Sequence, residues 1–486
     1  MFPYKDNAGH RAACAAVLFL TLNCSGASDE AEPTAVERIA IIPITIDARR
    51  SLAVTEQNIL SRFSLERVLH QLVTQSGVAN LTEVELFQQW WDTQNPKPGV
   101  YAGPHCDDVV DASGQSVING YPYLCRDGAE GAQVSCDPFA ASSSCAYIPI
   151  GLFNRFDLSP ENGAHCGEHR IVYAKQSGVS STSDRNLLIF EAVLPNPHPQ
   201  QGLKGCQQIV DTWADLSKEG SLSKRADVLE AFYFDGRGSV GPVIHVDNFG
   251  NNALGAGQIR TNQFSNTTTG WSLREFKLQR TCAGQSCTAL RFVPVTNKNN
   301  AFGLLFAPGS ALPTAPAFLS FFPTQVAALA APTVAQIDIS VPDVFNSAQS
   351  QASGATAAEM KYLEQLGPDP SALRADVQVQ LTALGSSLTP DDIALRAQAL
   401  SCAGCHRLNN GVAIGGGLTW PASLGFTHVT ERETEVVSGE VRFRLSDALL
   451  DVLLPARQEI LEDFLSDRPR PSQGPNHPLS GSSSHG

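Results

Sequence analysis

HRIVYAKQSGVSSTSDRNLLIFEAVLP, residues 169–195, holds two strand-like runs, 169–175 and 185–195, either side of a small polar stretch. Two runs with helical periodicity follow between Cys206 and Phe234, and then GPVIHVDNF (241–249) and GQIRTNQF (257–264). Upstream, TEQNILSRFSLERVLHQLVTQSG (55–77) and LTEVELFQQWWDTQ (81–94) place apolar residues at helical spacing. ERIAIIPITID (37–47) reads as a first strand. Strands and helices kept in separate runs predict an α+β domain, which we place at 28–345. FNSAQSQASGATAA (345–358) is small and polar and reads as a linker, so 346–386 is expected to be linker and helix. No internal repeat is visible.

The chain has 486 residues, enough for two or three domains, and a formal charge of −14. No basic run offers the clustered Lys and Arg that phosphate binding needs, which argues against a nucleic-acid partner. Residues 1–27 resemble a secretory signal: Lys5 and Arg11 precede the short apolar run AACAAVLFLTL. Two endings fit, cleavage after SGA (25–27) or lipid attachment at Cys24. The latter is the only membrane link the sequence offers. The protein is therefore expected to be exported, as a periplasmic, outer-membrane lipoprotein or extracellular species. Of the twelve cysteines, Cys14 and Cys24 lie in the signal. Eight others, Cys106, Cys125, Cys136, Cys145, Cys166, Cys206, Cys282 and Cys287, read as a disulfide framework. Two strand-like runs flank TCAGQSC, so a Cys282–Cys287 bridge would close a hairpin. The other pairings stay open.

The remaining two cysteines stand in ALSCAGCHRLNNG (399–411). C-x-x-C-H is the attachment pattern of a c-type haem. Two thiols separated by two residues can each form a thioether to one vinyl group, and the next side chain falls under the iron. Cys402 and Cys405 are the expected covalent anchors and His406 the proximal ligand. A redox dithiol would want its nucleophile at a helix N-terminus, whereas here a helix started by Thr389, Pro390, Asp391 and Asp392 precedes the motif. A zinc site would need two more ligands. A plain Cys402–Cys405 disulfide would leave His406 unexplained.

The capped helix, CAGCH, the Gly-rich loop GGGLTWPASLGFTHV (415–429) and a closing helix with Pro455 as a kink together resemble a mono-haem cytochrome c domain. The likeness runs from Thr389 to Leu465, and we place a small mainly-α haem domain at 387–468, with a disordered tail at 469–486. The resemblance implies haem c as cofactor. Such domains usually supply a distal Met downstream of the motif; this chain has only Met1 and Met360, both upstream. His428 is then the candidate distal ligand, with Met360, His477 and an open iron as alternatives. Two imidazoles would give a lower reduction potential than His/Met.

Elsewhere, His165, Glu168 and His169 would share a face on a helix and could bind a metal, but on a strand Glu168 points away from both histidines. Asp107 and Asp108 lack the repeated spacing of a calcium loop. Trp90 and Trp91 suit buried packing or a sugar platform. No G-x-S-x-G, H-E-x-x-H or phosphate-loop motif occurs. The expected function is electron transfer to an unknown redox partner through a covalently bound haem. The alternatives are a peroxidase-like haem enzyme and a secreted binding module with accessory haem.

Overall fold

The computed structural model describes residues 44–126, 132–264, 270–354 and 357–467. The signal segment, Cys24, most of the expected first strand, the C-terminal tail and His477 lie outside them. Among the described residues twelve strands form, beginning with β1 (Ala53–Val54) and a separate two-strand ladder of β2 (Val117–Ile118) and β3 (Tyr121–Pro122). β4 (Tyr147–Arg155), β5 (His165–Lys175), β6 (Asn186–Pro195), β7 (Gln258–Gln263), β8 (Ser272–Ala283), β9 (Ser286–Val295) and β10 (Ser350–Gln351) join β1 in one antiparallel sheet. The order is β1-β4-β5-β6-β7-β8-β10, with β9 pairing β8. β11 (Val429–Val437) and β12 (Glu440–Leu445) form a hairpin of their own.

One face of the sheet is roofed by helices. α1 (Leu65–Ser76) buries Leu65, Val68, Leu69 and Leu72, an i, i+3, i+4, i+7 stripe, and Ser64 caps its N-terminus. That cap splits the single helical run expected over 55–77. α2 (Glu83–Asp92) starts with a reciprocal Thr82–Glu85 capping box. Its Trp90 and Trp91 are buried, Trp90 against Phe276 and Phe292. α3 (Gln207–Lys218) and α4 (Leu222–Phe234) complete the layer: Trp213 and Phe232 stack on His169 of β5. Because side chains alternate across a strand, Arg170 and Val172 of β5 face the opposite side, where they line a cavity. GPVIHVDNF forms no strand; it turns into a short 3₁₀ helix over Val246–Phe249.

The stretch expected as a linker behaves otherwise. Residues 346–352 are buried, and β10 pairs with β8 through Ser350↔Leu273 and Gln351↔Ser272. Small polar residues read as solvated loop, but here their polar groups bond inward. Arg274 donates to Gln349 at 2.9 Å, and Ser347 donates to the Gln349 carbonyl at 2.6 Å. Downstream come α5 (Ala372–Ala383), α6 (Pro390–Leu400) and α7 (Leu454–Leu465). The chain thus combines a disulfide-bonded, sheet-rich region with a largely helical C-terminal part. The two are not separately packed: one core runs from Ile46 and Val54 through the sheet to Val429, Leu445 and Phe464.

Four disulfides form: Cys106–Cys125, Cys136–Cys145, Cys166–Cys206 and the expected Cys282–Cys287. They belong to a chain matured in an oxidising environment. Among the described residues, no helix is long and apolar enough to cross a membrane.

Two buried histidines of β5 give the protein an acid sensitivity. Burial pushes His165 down to about 4 and His169 to about 3, against about 6.5 in an unfolded chain. Between these values the unfolded state holds more protons, so stability rises with pH and is lost as pH falls below about 6.5. At pH 5 each histidine withdraws about 2 kcal/mol relative to neutral pH. Urea midpoints at pH 7.5 and 5.0 should show His169→Gln losing about 2 kcal/mol less than wild type; equal losses would contradict the assignment.

Candidate functional site

The cavity, about 200 Å³, lies between the open face of the sheet and the C-terminal segment. Its floor is charged. β4 supplies Arg155, β5 Arg170, β6 Glu191 and β7 Arg260. These residues sit level in neighbouring strands, with Arg155↔Glu168, Arg170↔Glu191 and Arg260↔Glu275 directly opposite in register. Arg170 pairs with Glu168 and, at 3.1 Å, with Glu191; Arg260 pairs with Glu275 at 3.0 Å and Glu191 at 3.3 Å. Opposite charges directly across a ladder stabilise it. The result is a belt of ion pairs over β5 to β8, with Arg155 of β4 beside it.

The wall opposite is built from the C-x-x-C-H motif and the segment C-terminal to it. α6 opens with the expected cap: Thr389 and Asp392 bond each other's backbone N–H, and Pro390 stands in the first turn. The helix stops at Ser401, whose hydroxyl donates to the Gln398 carbonyl at 2.7 Å and accepts from Gly404 N–H at 3.0 Å. The chain then widens into a π-type turn, Gly404–Leu408, which carries Cys405 and His406. Such turns are rare and frequent at functional sites.

Two polar side chains dock the motif: Cys402 N–H donates to Asn300 Oδ1 and Ala403 N–H to Ser350 Oγ, each at 3.0 Å. The small residue at 404 has a local cause, since a Cβ there would stand 1.7 Å from the Gln398 carbonyl oxygen. Gly404→Ala must therefore move backbone. A loss of about 1–3 kcal/mol in denaturant unfolding is expected, and an unchanged midpoint would show the turn to be compliant.

Cys402 and Cys405 are unpaired thiols. Burial pushes them up to about 12 and about 11, opposite to what a thiolate nucleophile needs. Of the two, Cys405 lines the cavity. His406 lines it too, and its Nδ1–H donates to the Phe426 carbonyl at 2.7 Å. Phe426 holds φ at +78°, left-handed backbone that is strained for a bulky residue, and its carbonyl also accepts from Asn262 at 2.9 Å. Its ring stacks on Trp271, which lies 5.5 Å from the His406 ring. Tying Nδ1 fixes the tautomer and leaves the Nε2 lone pair free, as in metal-ligating histidines.

His428, just before β11, joins the same wall. Its Nδ1 pairs with Ser446 Oγ at 2.9 Å, its Nε2 stands 3.3 Å from Cys405 Sγ, and its ring centre is 4.8 Å from that of His406. Burial pushes His406 down to about 4 and His428 well below its usual value, so both are neutral at pH 7. The hairpin that carries His428 is clamped to the sheet by a buried pair, Arg185–Glu431, at 2.6 Å. Arg457, from α7, completes the lining. Burial, and then the charge of Arg155, push it down to about 9. A second π-type segment, Ala448–Leu453, precedes α7 and adds Leu449 and Leu453, with Pro455 in the first turn of the helix.

Other expected residues lie apart. Met360 is buried, its sulfur 3.7 Å from Ser350 Oγ and 3.9 Å from Asn300 Nδ2, and it does not line the cavity. His165, Glu168 and His169 do not converge: His169 stacks on Trp213, Glu168 binds Arg170 on the other face, and His165 Nδ1 accepts from Gly167 N–H. Asp107 accepts from Lys97 N–H, and Asp108 pairs with the Lys97 ammonium. Among the described residues, no group of three or more His, Cys, Asp or Glu is arranged to hold a metal ion.

The sequence reading missed the charged floor. The signal was there, as Arg and Glu inside otherwise apolar strands (Arg155, Arg170, Glu191, Arg260, Glu275), but it has meaning only once the register is known. It also missed β11–β12, although EVVSGEVRFRL alternates about a Ser-Gly turn with both residues at positive φ. No protein-family model, curated protein or solved structure matches the chain.

Proposed function

We propose that the protein is an exported c-type haem protein that transfers electrons, with Cys402 and Cys405 as thioether anchors and His406 as the proximal iron ligand. The observation that carries this reading is the tied Nδ1 of His406, beside a free thiol on the wall of the same cavity. When bound, a haem supplies a ferric/ferrous couple.

The residues of the chain then have definite tasks. Phe426 and Asn262 hold the imidazole of His406 in one orientation. Val172, Leu187, Ile189 and Leu273 on the floor, with Leu449 and Leu453 above, exclude water. His428 is the distal candidate: Ser446 bonds its Nδ1, and its Nε2, now against Cys405 Sγ, would be released once that sulfur is in a thioether. The donor set suits a haem, which needs only one or two protein ligands. The volume is below the roughly 300–1,000 Å³ of ordinary ligand pockets, so the walls must part on loading. Cys402, absent from the present lining, has to turn in. These requirements bear on the segment after Ser401, not on the sheet.

A peroxidase-like enzyme is the second reading. It is favoured by the 4.8 Å between the His406 and His428 ring centres, tight for two imidazoles on opposite sides of one iron. The test is an absorption spectrum of the protein exported from a host with cytochrome c maturation machinery, paired with acid–acetone extraction. A reduced c-type spectrum that stays with the chain is expected. No Soret band would overturn the proposal. Six-coordinate, low-spin iron favours electron transfer, whereas high-spin iron that binds cyanide quickly favours the enzyme.

A further inference from the structure

On the cavity floor each arginine holds at least one carboxylate closely. Arg155 holds Asp157 bidentately, with contacts of 2.9 and 2.8 Å; Arg170 and Arg260 hold Glu168, Glu191 and Glu275 at 3.3 Å or less. Arg457 is the exception. Its side chain is 11 % exposed and lines the cavity beside Arg155, yet its nearest carboxylate is Asp157 at 3.7 Å, already taken by Arg155. No hydrogen bond from its guanidinium to any described residue is formed. A guanidinium has five donors in a rigid fork suited to carboxylates. Arg155 and Arg457 thus share one carboxylate, Asp157, beside the cavity, and the Arg457 fork keeps donors to offer an occupant.

We propose that Arg457, with Arg155 beside it, forms a carboxylate-binding subsite of this cavity. Two sources could supply the carboxylate, the side chains of a bound tetrapyrrole or a small diffusible carboxylate that enters beside it. The first source rests on the haem reading above; the second does not. Arg457 lines the same cavity as Cys405 and His428, which puts the subsite within reach of the same occupant.

The experiment uses acetate as probe and the full exported chain in two forms, haem-loaded and produced without maturation machinery. Binding is read by calorimetry at constant ionic strength, with chloride as control. If the haem-loaded chain binds acetate, the source is diffusible. If only the haem-free chain binds it, the haem's own carboxylates occupy the subsite. In either case Arg457→Gln and Arg457→Lys should weaken acetate at least tenfold, because lysine keeps the charge and loses the fork. Failure of both forms to bind, or unchanged affinity in the variants, overturns the proposal.

Should the haem-free chain not fold while the loaded one ignores acetate, the pH dependence of the reduction potential decides. A carboxylate paired with Arg457 stays ionised, giving a flat profile from pH 5 to 8. Arg457→Gln should make the potential fall with pH inside that window, and identical profiles overturn the subsite. A wild-type chain without any haem sinks the functional reading alone, since acetate binding to that chain still decides this one.

Discussion

Arg185→Leu destabilises the protein by about 3–5 kcal/mol, because it leaves Glu431 charged and unpaired in the interior. The two side chains are 4 % and 0 % exposed, joined by contacts of 2.6 and 3.1 Å, and Arg185 also reaches Thr427 at 3.3 Å. Removing both charges should be far milder: in Arg185→Leu/Glu431→Leu most of the loss returns, since no ion is then left without water or partner. Urea unfolding of the two variants against wild type measures this. A single variant within about 1 kcal/mol of wild type would mean that water reaches Glu431. The pair ties β6 to the β11–β12 hairpin, so the single variant should also loosen His428, visible as a change in the iron's spin state in haem-loaded protein.

The second large effect is all-or-none. Cys402→Ser/Cys405→Ser, exported alongside maturation machinery, should retain no haem after acid–acetone extraction, while its four disulfides form as before. The thiols take no part in that framework, so a collapse of the framework in this variant would assign them a structural role instead. His406→Ala should keep the covalent bond and lose the proximal imidazole, giving a spectrum of altered spin state. Haem that survives extraction from the double-serine chain would contradict the attachment chemistry.

What could be read from the chain beforehand depends on the range of the forces involved. The strands within 169–195, the Cys282–Cys287 hairpin and the Thr389 cap are set by neighbours a few residues away, and they appear where the sequence puts them. The belt was illegible because Arg155 and Glu168, or Arg260 and Glu275, meet only through strand pairing. Residues 346–352 misled for a related reason. Ser350 and Gln349 look like solvent-facing loop until Ala403 and Arg274 arrive to use their oxygens. The sequence singled out the motif residues, but not Phe426 and Asn262, which meet at the His406 ring. Each contributes through a backbone geometry or a distant strand rather than through residue type.

The core that begins at Ile46 is completed by residues some four hundred positions later. Ile46 N–H donates to Glu462 at 2.8 Å, and the Phe156 ring meets that of Phe464 at 4.9 Å. A chain made from its N-terminus therefore cannot complete this core until its last described helix has been made. Any truncation that removes α7 should uncover the core at Phe156 and free the backbone of Ile46 at once, so the two ends of the described chain stand or fall together.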